Sequence, residues 1–402
     1  MNKVYIVGVK RTALGSFGGS LSKTPAFELG GHAIQAALSQ ANIAPQLIDE
    51  VIVGNVLAAG QGMGPGRQAA KFANIPDVVP AYTLNMICGS GMKTVMEAAS
   101  KIKAGDAQLI VAAGMENMSK APYLVDATNR FGSKMGEQTL VDSLIYDGLT
   151  DAFNQYHMGI TAENIADKYH ISRAAQDTFA LRSQSLASQA VSSGRFDDEI
   201  VAIEVPQRRK MVCFSRDEYP RGDTTIESLS KLRPAFKKQG SVTAGNASGI
   251  NDGGVAFVLA SEAALAKHHL EPLAEILSYG QGGVDPAYMG LGPVPAIKQA
   301  LTRANMSLQA IQLLELNEAF AAQALGVMHG LCDEHQVNMD WFEDKTNVNG
   351  GAIALGHPLG ASGGRILSSL LYEMKKRQAT YGLASLCIGG GMGTAMIIKN
   401  II

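Results

Sequence analysis

Short apolar segments alternate with amphipathic segments along most of this chain. The apolar segments have the length and continuous hydrophobic character of buried strands, and they lie at residues 4–9, 51–56, 109–117, 255–260, 274–279, 313–315 and 383–387. The amphipathic segments carry apolar residues at helical spacing, and they lie at residues 26–41, 67–72, 92–102, 158–169, 172–192, 262–268, 294–304 and 365–376. Strands that alternate with helices in this way predict an α/β fold with a largely parallel sheet.

The alternation is interrupted between residues 119 and 247, where polar and charged residues increase and apolar runs thin out. We interpret residues 119–247 as an inserted loop domain. It divides an N-terminal α/β half, residues 1–118 and 248–270, from a C-terminal half, residues 271–402. Within the insertion, residues 208–238 hold nine Lys and Arg against four Asp and Glu. On charge alone this stretch is interpreted as a solvated face.

The two halves repeat one pattern. The first half has a loop at Cys88, a helix, and a strand that ends at residue 117; the second has a loop at 350–364, a helix and a strand that ends near Cys387. The repetition predicts two similar α/β units packed together. Each unit would place a loop at the strand ends, where ligand sites form in such sheets.

Composition narrows the class of protein. A chain of 402 residues predicts two or three domains, and a net charge of −2 gives no basis for a nucleic-acid partner. No apolar run approaches the roughly 18 residues that a membrane span needs, and the first residues do not have the pattern of a signal peptide. The four cysteines are far apart and form no Cys-x-x-Cys. A disulfide framework or a metal site is therefore not expected, and a cytoplasmic location fits.

Residues 85–93, Asn-Met-Ile-Cys-Gly-Ser-Gly-Met-Lys, place Cys88 on a turn between an apolar strand and a buried helix. The free N–H groups at the start of that helix are expected to lower the pKa of the Cys88 thiol. Gly89 and Gly91 permit a close backbone approach that a Cβ would block. The alternative is a cysteine packed as a small hydrophobic residue.

Three further stretches carry candidate chemistry. Residues 347–364 surround His357 with glycines, and Pro358 forces an extended conformation on it, so His357 would be placed to accept the proton of a thiol. Cys387 stands at a strand end before Gly389. The backbone N–H groups there would hold an oxyanion, and the Cys387 thiol would exchange a proton with a substrate carbon. Asn317 would orient a water or a carbonyl, and Glu318 would bond a histidine or cap a helix. Packed structural roles remain open for each residue taken alone.

Together these stretches resemble the thiolase family, and within it the biosynthetic acetyl-CoA acetyltransferase branch. The resemblance covers essentially the whole chain. It rests on four motifs in order: Asn-x-x-Cys-Gly-Ser-Gly, Asn-Glu-Ala-Phe-Ala, Gly-His-Pro-x-Gly-Ala-Ser-Gly and Cys-x-Gly-Gly-Gly-Met-Gly. It implies a five-layered αβαβα arrangement of duplicated α/β units with an inserted loop domain.

The resemblance also implies a reaction. Two acetyl-CoA molecules would condense to acetoacetyl-CoA and CoA by a ping-pong mechanism, with thiolysis as the reverse. Cys88 would carry the acyl group, His357 would activate it, and Cys387 would be the acid/base at the α-carbon. Asn317, through a water, and His357 would form one oxyanion hole, and the N–H groups of Cys88 and Gly389 the other. No metal or redox cofactor is implied, because the CoA thioesters are substrates.

Further residues acquire expected roles from the same resemblance. CoA and its acyl group would be bound by residues on both sides of the reacting centre, namely His157, Met158, Arg221, Ser228, Ala244, Ser248, Met289, Ala319 and Phe320. The bulky Met158 would limit acyl length, and the basic stretch would suit phosphates. Residues 134–144 correspond to the segment that joins dimers into a homotetramer, and neither a membrane nor a nucleic acid is expected as a partner.

Other functions remain to be weighed. A degradative 3-ketoacyl-CoA thiolase would share the active site and accept longer chains. The Cys387 motif and the insertion fit a ketosynthase less well than a thiolase. A cysteine hydrolase would release free acid rather than exchange CoA. A non-catalytic acyl-CoA-binding subunit is opposed by the intact Cys88, His357 and Cys387.

Overall fold

The computed structural model describes residues 2–207 and 209–401, and the strands and helices are numbered along the chain. The strands are β1 Val4–Thr12, β2 Gly15–Ser16, β3 Glu50–Gly54, β4 Ala81–Leu84, β5 Leu109–Asn117, β6 Tyr123–Val125, β7 Leu140–Asp142, β8 Ile200–Val201, β9 Ile203–Gln207, β10 Lys210–Phe214, β11 Asn251–Ser261, β12 Ala274–Gly283, β13 Leu313–Leu316, β14 Tyr381–Ile388 and β15 Met392–Asn400. The α-helices are α1 Ala26–Gln40, α2 Pro65–Phe72, α3 Ser90–Ala104, α4 Met158–Tyr169, α5 Arg173–Ser192, α6 Ile226–Ser230, α7 Glu262–His268, α8 Pro293–Ala304, α9 Ala321–His335, α10 Ala352–Leu355 and α11 Leu359–Arg377.

The main sheet consists of two halves that meet in the middle. Its strand order is β13-β14-β15-β12-β1-β11-β5-β3-β4. β1 and β12 join the halves through two residue pairs, Tyr5 with Glu275 and Ile6 with Ala274. Each half thus contains strands from one of the two repeated units.

The packing produces five layers. Along β11, Val255, Phe257 and Leu259 face a central core with α3 and α11, whereas the alternate residues face an outer core with α1 and α2. On the other half, β14 and β15 contribute one face to the central core and the opposite face to an outer core with α8 and α9. Period-two alternation on strands covered on both sides explains this partition. The predicted αβαβα arrangement is confirmed.

The prediction of a largely parallel sheet is wrong. The central neighbours β15, β12, β1, β11 and β5 all pair antiparallel, and parallel pairs occur between β3 and its neighbours, between β13 and β14 and between β1 and β8. β14 turns back into β15 through three glycines, too short a connection for the crossover that a parallel pair needs. β5 and β11 pair antiparallel although the whole insertion separates them along the chain.

Several elements differ from the sequence expectation. α9 and β15 were not predicted, and α11 begins at Leu359, well before residue 365. The insertion contains a hairpin of β9 and β10 whose connecting Arg208 lies outside the described residues. The domain boundaries at 118, 247 and 270 stay a prediction. Within residues 2–207 and 209–401, none of the helices is both long and apolar enough to cross a membrane.

Candidate active site

Cys88 lies on a tight connection between β4 and α3. The preceding Ile87 has a φ of 47°, which is strained for a β-branched residue and indicates a turn fixed by its surroundings. A Cβ on Gly89 would overlap the side chain of Ile388, so the turn rests directly on the end of β14. This contact brings Cys88 to the strand end that carries Cys387 and Gly389.

Burial and backbone donors act against each other on the Cys88 sulfur. Burial raises the pKa of the Cys88 thiol to about 11, although the N–H groups of Gly389 and of Cys88 itself bond to the sulfur and oppose that rise. The expectation of a lowered pKa is therefore wrong for the substrate-free protein. Desolvation disfavours the thiolate by more than the N–H groups at the start of α3 stabilise it. Both N–H groups are directed toward the Cys88 sulfur.

His357 is fixed by its backbone and by one ring nitrogen. Its N–H donates to Asn251 Oδ1 at 3.0 Å, and Gly356 before it has a φ of 108°. Its Nδ1 lies 2.6 Å from Ser362 Oγ, which donates to the carbonyl of Pro358 at 2.8 Å. Because the single hydroxyl proton is used on Pro358, Nδ1 must carry the imidazole proton. The other nitrogen, Nε2, then presents a lone pair, and among the described residues it has no hydrogen-bond partner.

The His357 ring is neutral in this setting. Burial, with the charge of Arg365 as a second cause, lowers the pKa of His357 to about 3. An imidazole that is neutral and has a free Nε2 is a proton acceptor throughout the physiological range. Cys88 packs against a cluster that includes Leu359, two residues beyond His357.

Asn317 stands between the end of β13 and the imidazole. Its side-chain Nδ2 lies 3.5 Å from His357 Nδ1, and its Oδ1 faces Arg365 Nη2 at 3.4 Å. It is not a helix cap, since α9 begins only at Ala321 after Phe320. Its amide is therefore directed at the site.

Glu318 bonds no histidine among the described residues, but it does satisfy a free N–H in the first turn of α10. Its carboxylate accepts hydrogen bonds from Ser183 Oγ, Asn347 Nδ2 and the N–H of Ile353. A Cβ on Gly351 would overlap that carboxylate. Glu318 therefore fixes the glycine-rich loop that leads to His357.

Cys387 ends β14 on the inner side of the site. It is 1% exposed and packs with Met158, Met289, Ala319 and Phe320. Burial raises the pKa of the Cys387 thiol, and the neighbouring charge of Cys88 raises it further, so the two sulfurs interact electrostatically. Gly390 and Gly391, both with a φ of 84°, turn the chain sharply away after Gly389. The two thiols thus lie close together at the end of β14, and Leu359, two residues after His357, packs against Cys88.

A cavity of about 620 Å³ reaches His357. Its lining includes six of the residues that the sequence singled out, namely His157, Arg221, Ala244, Ser248, Phe320 and His357. A neighbouring cavity of about 300 Å³ is lined by Arg221, Ala244 and Ser228. The Ser228 hydroxyl is used locally, bonding the backbone at Thr225. Met289 and Ala319 lie in the packed layer behind the cavity wall, and Met158 and Gly389 border a third cavity.

Comparison with known proteins identifies the family of the chain. Residues 4–263 match the model of the thiolase N-terminal domain, and residues 270–400 match that of the thiolase C-terminal domain. The chain belongs to the thiolase family.

Individual thiolases are similar over the full length. The acetyl-CoA acetyltransferase of Cupriavidus necator is 55% identical over 401 residues, with 100% of both chains covered. The crystal structure of the Bacillus anthracis acetyl-CoA acetyltransferase is 43% identical with a TM-score of 0.95, and covers 100% of this chain and 99% of that one. The human mitochondrial 3-ketoacyl-CoA thiolase is 44% identical with a TM-score of 0.94 at the same coverage.

Four site residues of this thiolase were not singled out from the sequence. Ser362 sets the imidazole tautomer, Asn251 holds the His357 backbone, Arg365 faces Asn317, and Phe236 stacks on His157 with ring centroids 4.5 Å apart. Ser362 lies inside a quoted motif five positions after His357, which was an available signal. The other three act across distances in sequence that no local pattern reveals.

Proposed function

We propose that this thiolase joins two acetyl-CoA molecules into acetoacetyl-CoA and CoA and catalyses the reverse thiolysis. The single observation that carries the proposal is the proximity of the Cys88 and Cys387 thiols at the end of β14, next to the loop that holds His357 in the wall of a cavity of about 620 Å³. The full-length similarity to the acetyl-CoA acetyltransferase of Cupriavidus necator supports acetyl-CoA as the substrate.

In the first half-reaction, neutral His357 takes the proton of Cys88 as the sulfur attacks the thioester carbon. A preformed thiolate is not needed, because proton transfer accompanies attack. The carbonyl oxygen becomes an oxyanion that the N–H groups of Cys88 and Gly389 stabilise. CoA then leaves with a proton from Cys387, which leaves acetylated Cys88, a Cys387 thiolate and protonated His357.

In the second half-reaction, the Cys387 thiolate removes a proton from the methyl group of a second acetyl-CoA. Its raised pKa makes that thiolate a strong base. The resulting enolate oxygen is stabilised by His357 and, through a water, by Asn317. The enolate carbon attacks the acetyl group, the bond to Cys88 breaks, and His357 returns the proton to Cys88. All charges and protons balance without a metal or a redox cofactor.

The CoA moiety is proposed to occupy the two neighbouring cavities. Arg221 borders both and lies with its guanidinium 5.7 Å from the ring of Tyr219. A cation there suits the phosphates of CoA. The apolar walls, including Ala244 and Phe320, suit the pantetheine arm.

Labelling experiments test the mechanism. The Cys88→Ala variant should take up no covalent label from radioactive acetyl-CoA, and the Cys387→Ala variant should acetylate Cys88 but fail to exchange methyl protons with solvent. Cys332→Ala is the matched control, since this free cysteine lies on α9 away from the site. Label at another residue in Cys88→Ala would reject the nucleophile, and normal exchange in Cys387→Ala would reject the base.

A second candidate is a 3-ketoacyl-CoA thiolase of broader chain length, favoured by the similarity to the human mitochondrial enzyme. Relative kcat/KM for acetoacetyl-CoA and 3-ketooctanoyl-CoA in thiolysis separates the two. A clear preference for the longer substrate would replace the first proposal. An absence of turnover with intact CoA binding would instead indicate a non-catalytic subunit.

Assembly and location are also proposed. The hairpin of β6 and β7 exposes several apolar side chains, and we propose that it joins two dimers into a homotetramer. The free cysteines at positions 88, 213, 332 and 387 are compatible with the reducing cytoplasm. Substrates and products are then acetyl-CoA, acetoacetyl-CoA and CoA.

A further inference from the structure

Arg365 is a buried cation whose role the reaction described above does not include. It is 1% exposed, near the start of α11. Its guanidinium bonds Glu315 Oε2 through Nη1 at 3.4 Å and Asn317 Oδ1 through Nη2 at 3.4 Å. Its Nε has no hydrogen-bond partner within the described residues.

Stability alone does not account for this arrangement. A buried ion pair at 3.4 Å, with one guanidinium nitrogen unsatisfied, compensates poorly for the free energy of desolvating two charges. Apolar residues of similar volume often serve a core equally well or better. The charge is therefore explained more directly by what it does to its neighbour.

The neighbour is Asn317, whose amide has two possible orientations. A guanidinium only donates hydrogen bonds, so the amide oxygen must face Arg365. The reversed amide would set its NH₂ group against the donors of Arg365. The NH₂ group is consequently directed to the other side, toward His357.

His357 does not accept a hydrogen bond from that NH₂ group. Nδ1 carries the imidazole proton and donates it to Ser362 Oγ, so it offers no lone pair to Asn317. The contact of 3.5 Å between Asn317 Nδ2 and His357 Nδ1 is then proximity rather than a hydrogen bond. The Asn317 NH₂ group remains available to a water or an oxyanion in the site.

We propose that Arg365, balanced by Glu315, is a positioning residue that holds the Asn317 amide with its NH₂ group directed at the enolate oxygen. The inference rests on the proposed function, in which that oxygen belongs to the second acetyl-CoA. It assigns the positioning effect of Arg365 to carbon–carbon bond formation, because the oxyanion of Cys88 acetylation uses the N–H groups of Cys88 and Gly389. The charge of Arg365 also lowers the pKa of His357, so this effect is isolated in Arg365→Lys, which keeps the charge.

The test compares the two half-reactions in four variants. Arg365→Lys keeps the charge but loses the planar fork, and the double variant Arg365→Gln with Glu315→Gln removes both charges so that none is left unpaired. Asn317→Ala provides the reference effect, and the triple variant combines it with the two neutral substitutions. The matched control is Arg195→Gln, which removes the partner of Glu373 further along α11 and has no contact with Asn317.

Condensation should fall about 100- to 1,000-fold in kcat for Asn317→Ala, as for loss of one oxyanion donor, and by a smaller factor for the Arg365 variants, which misdirect that donor without removing it. In Arg365→Lys and Asn317→Ala, which keep the charge beside His357, the KM for acetyl-CoA and the rate of Cys88 acetylation should each change less than about threefold, because neither uses the displaced amide. The triple variant should condense no more than about twofold slower than Asn317→Ala, since the groups act as one unit. Arg195→Gln should keep wild-type kinetics.

Three results would overturn the inference. These are wild-type condensation in the doubly neutral variant, equal losses in both half-reactions of Arg365→Lys, and multiplied losses in the triple variant. Circular dichroism and thermal unfolding of each variant establish that it is folded. A wild-type enzyme that fails to condense acetyl-CoA would reject the proposed function itself, whereas an active wild type with unaffected Arg365 variants rejects the positioning role alone.

Discussion

At the scale of single residues, the reacting pair is neutral at rest. The pKa of Cys88 is raised to about 11 and that of His357 is lowered to about 3, in both cases mainly by burial. A thiolate–imidazolium pair would need the reverse order of pKa values. The site therefore resembles a general-base pair, in which the proton moves as the bond forms, more than a preformed ion pair.

The resting state predicts a steep pH dependence of Cys88 alkylation. Between pH 7 and 9 the pH lies below the raised pKa of Cys88, so the thiolate fraction should rise about tenfold per pH unit. His357 is already neutral throughout this range and adds no inflection. The rate of carbamidomethylation by iodoacetamide in the substrate-free enzyme measures the effect. A rate that is flat between pH 7 and 9 would indicate a preformed thiolate.

Met158 is the residue best placed to limit acyl length. It is buried at the start of α4, packs with Cys387, and its sulfur faces Gly389. Met158→Ala should raise the ratio of kcat/KM for 3-ketohexanoyl-CoA to that for acetoacetyl-CoA by about 10-fold, the usual weight of one or two methylene groups in a pocket. Thiolysis assays on both substrates measure it. Met328→Ala, which removes a buried methionine from the outer core, is the control and should leave the ratio unchanged.

At the scale of elements, the site depends on a close crossing of α3 and α11. A Cβ on Gly91 would come within 2.8 Å of the Gly360 carbonyl, and one on Gly363 within 2.6 Å of the Met92 N–H nitrogen. Both of these atoms belong to the backbone, so neither can rotate away as a side chain would. The crossing sets the distance between Cys88, before α3, and His357, before α11.

Gly91→Ala should therefore impair both stability and acetylation. Overpacking at a backbone contact costs about 1–3 kcal/mol, and separation of the helices moves nucleophile and base apart. Gly105→Ala at the other end of α3 is the matched control, because its φ of 90° is strained for alanine but no atom lies nearby. It should lose about 1–2 kcal/mol of stability and keep normal activity. Equal acetylation rates in the two folded variants would contradict the argument.

The sequence reveals these elements unevenly. Helices α4 and α7 and strand β5 are predicted to the residue, because the helices carry apolar residues at helical spacing and the strand is a continuous apolar run. Strand direction is not recovered, since it depends on which distant strands become neighbours. The motifs around Cys88 and His357 are visible locally. The raised pKa of Cys88 is not, because the burial that causes it comes largely from residues distant in sequence, such as Leu359.

At the scale of the whole molecule, the inserted segment presents an exposed apolar surface. Phe131 is 87% exposed and Met135 is 94% exposed, and Leu140 and Val125 of the adjoining hairpin are also exposed. Apolar side chains concentrated on one projecting segment are typical of an interaction surface rather than of a solvated loop. This segment overlaps residues 134–144, which the family resemblance associates with tetramer formation.

Charges on this surface should divide the proposed tetramer into dimers. The double variant Phe131→Asp with Met135→Asp would place two carboxylates in an apolar contact, where desolvation without a partner is unfavourable. Light scattering coupled to size exclusion should show half the wild-type mass. Met211→Asp, at an exposed methionine of the hairpin of β9 and β10, is the control and should keep the wild-type mass. Because Cys88, His357 and Cys387 come from one chain, the dimeric variant should still acetylate Cys88. An unchanged mass would reject a role of this segment in tetramer formation.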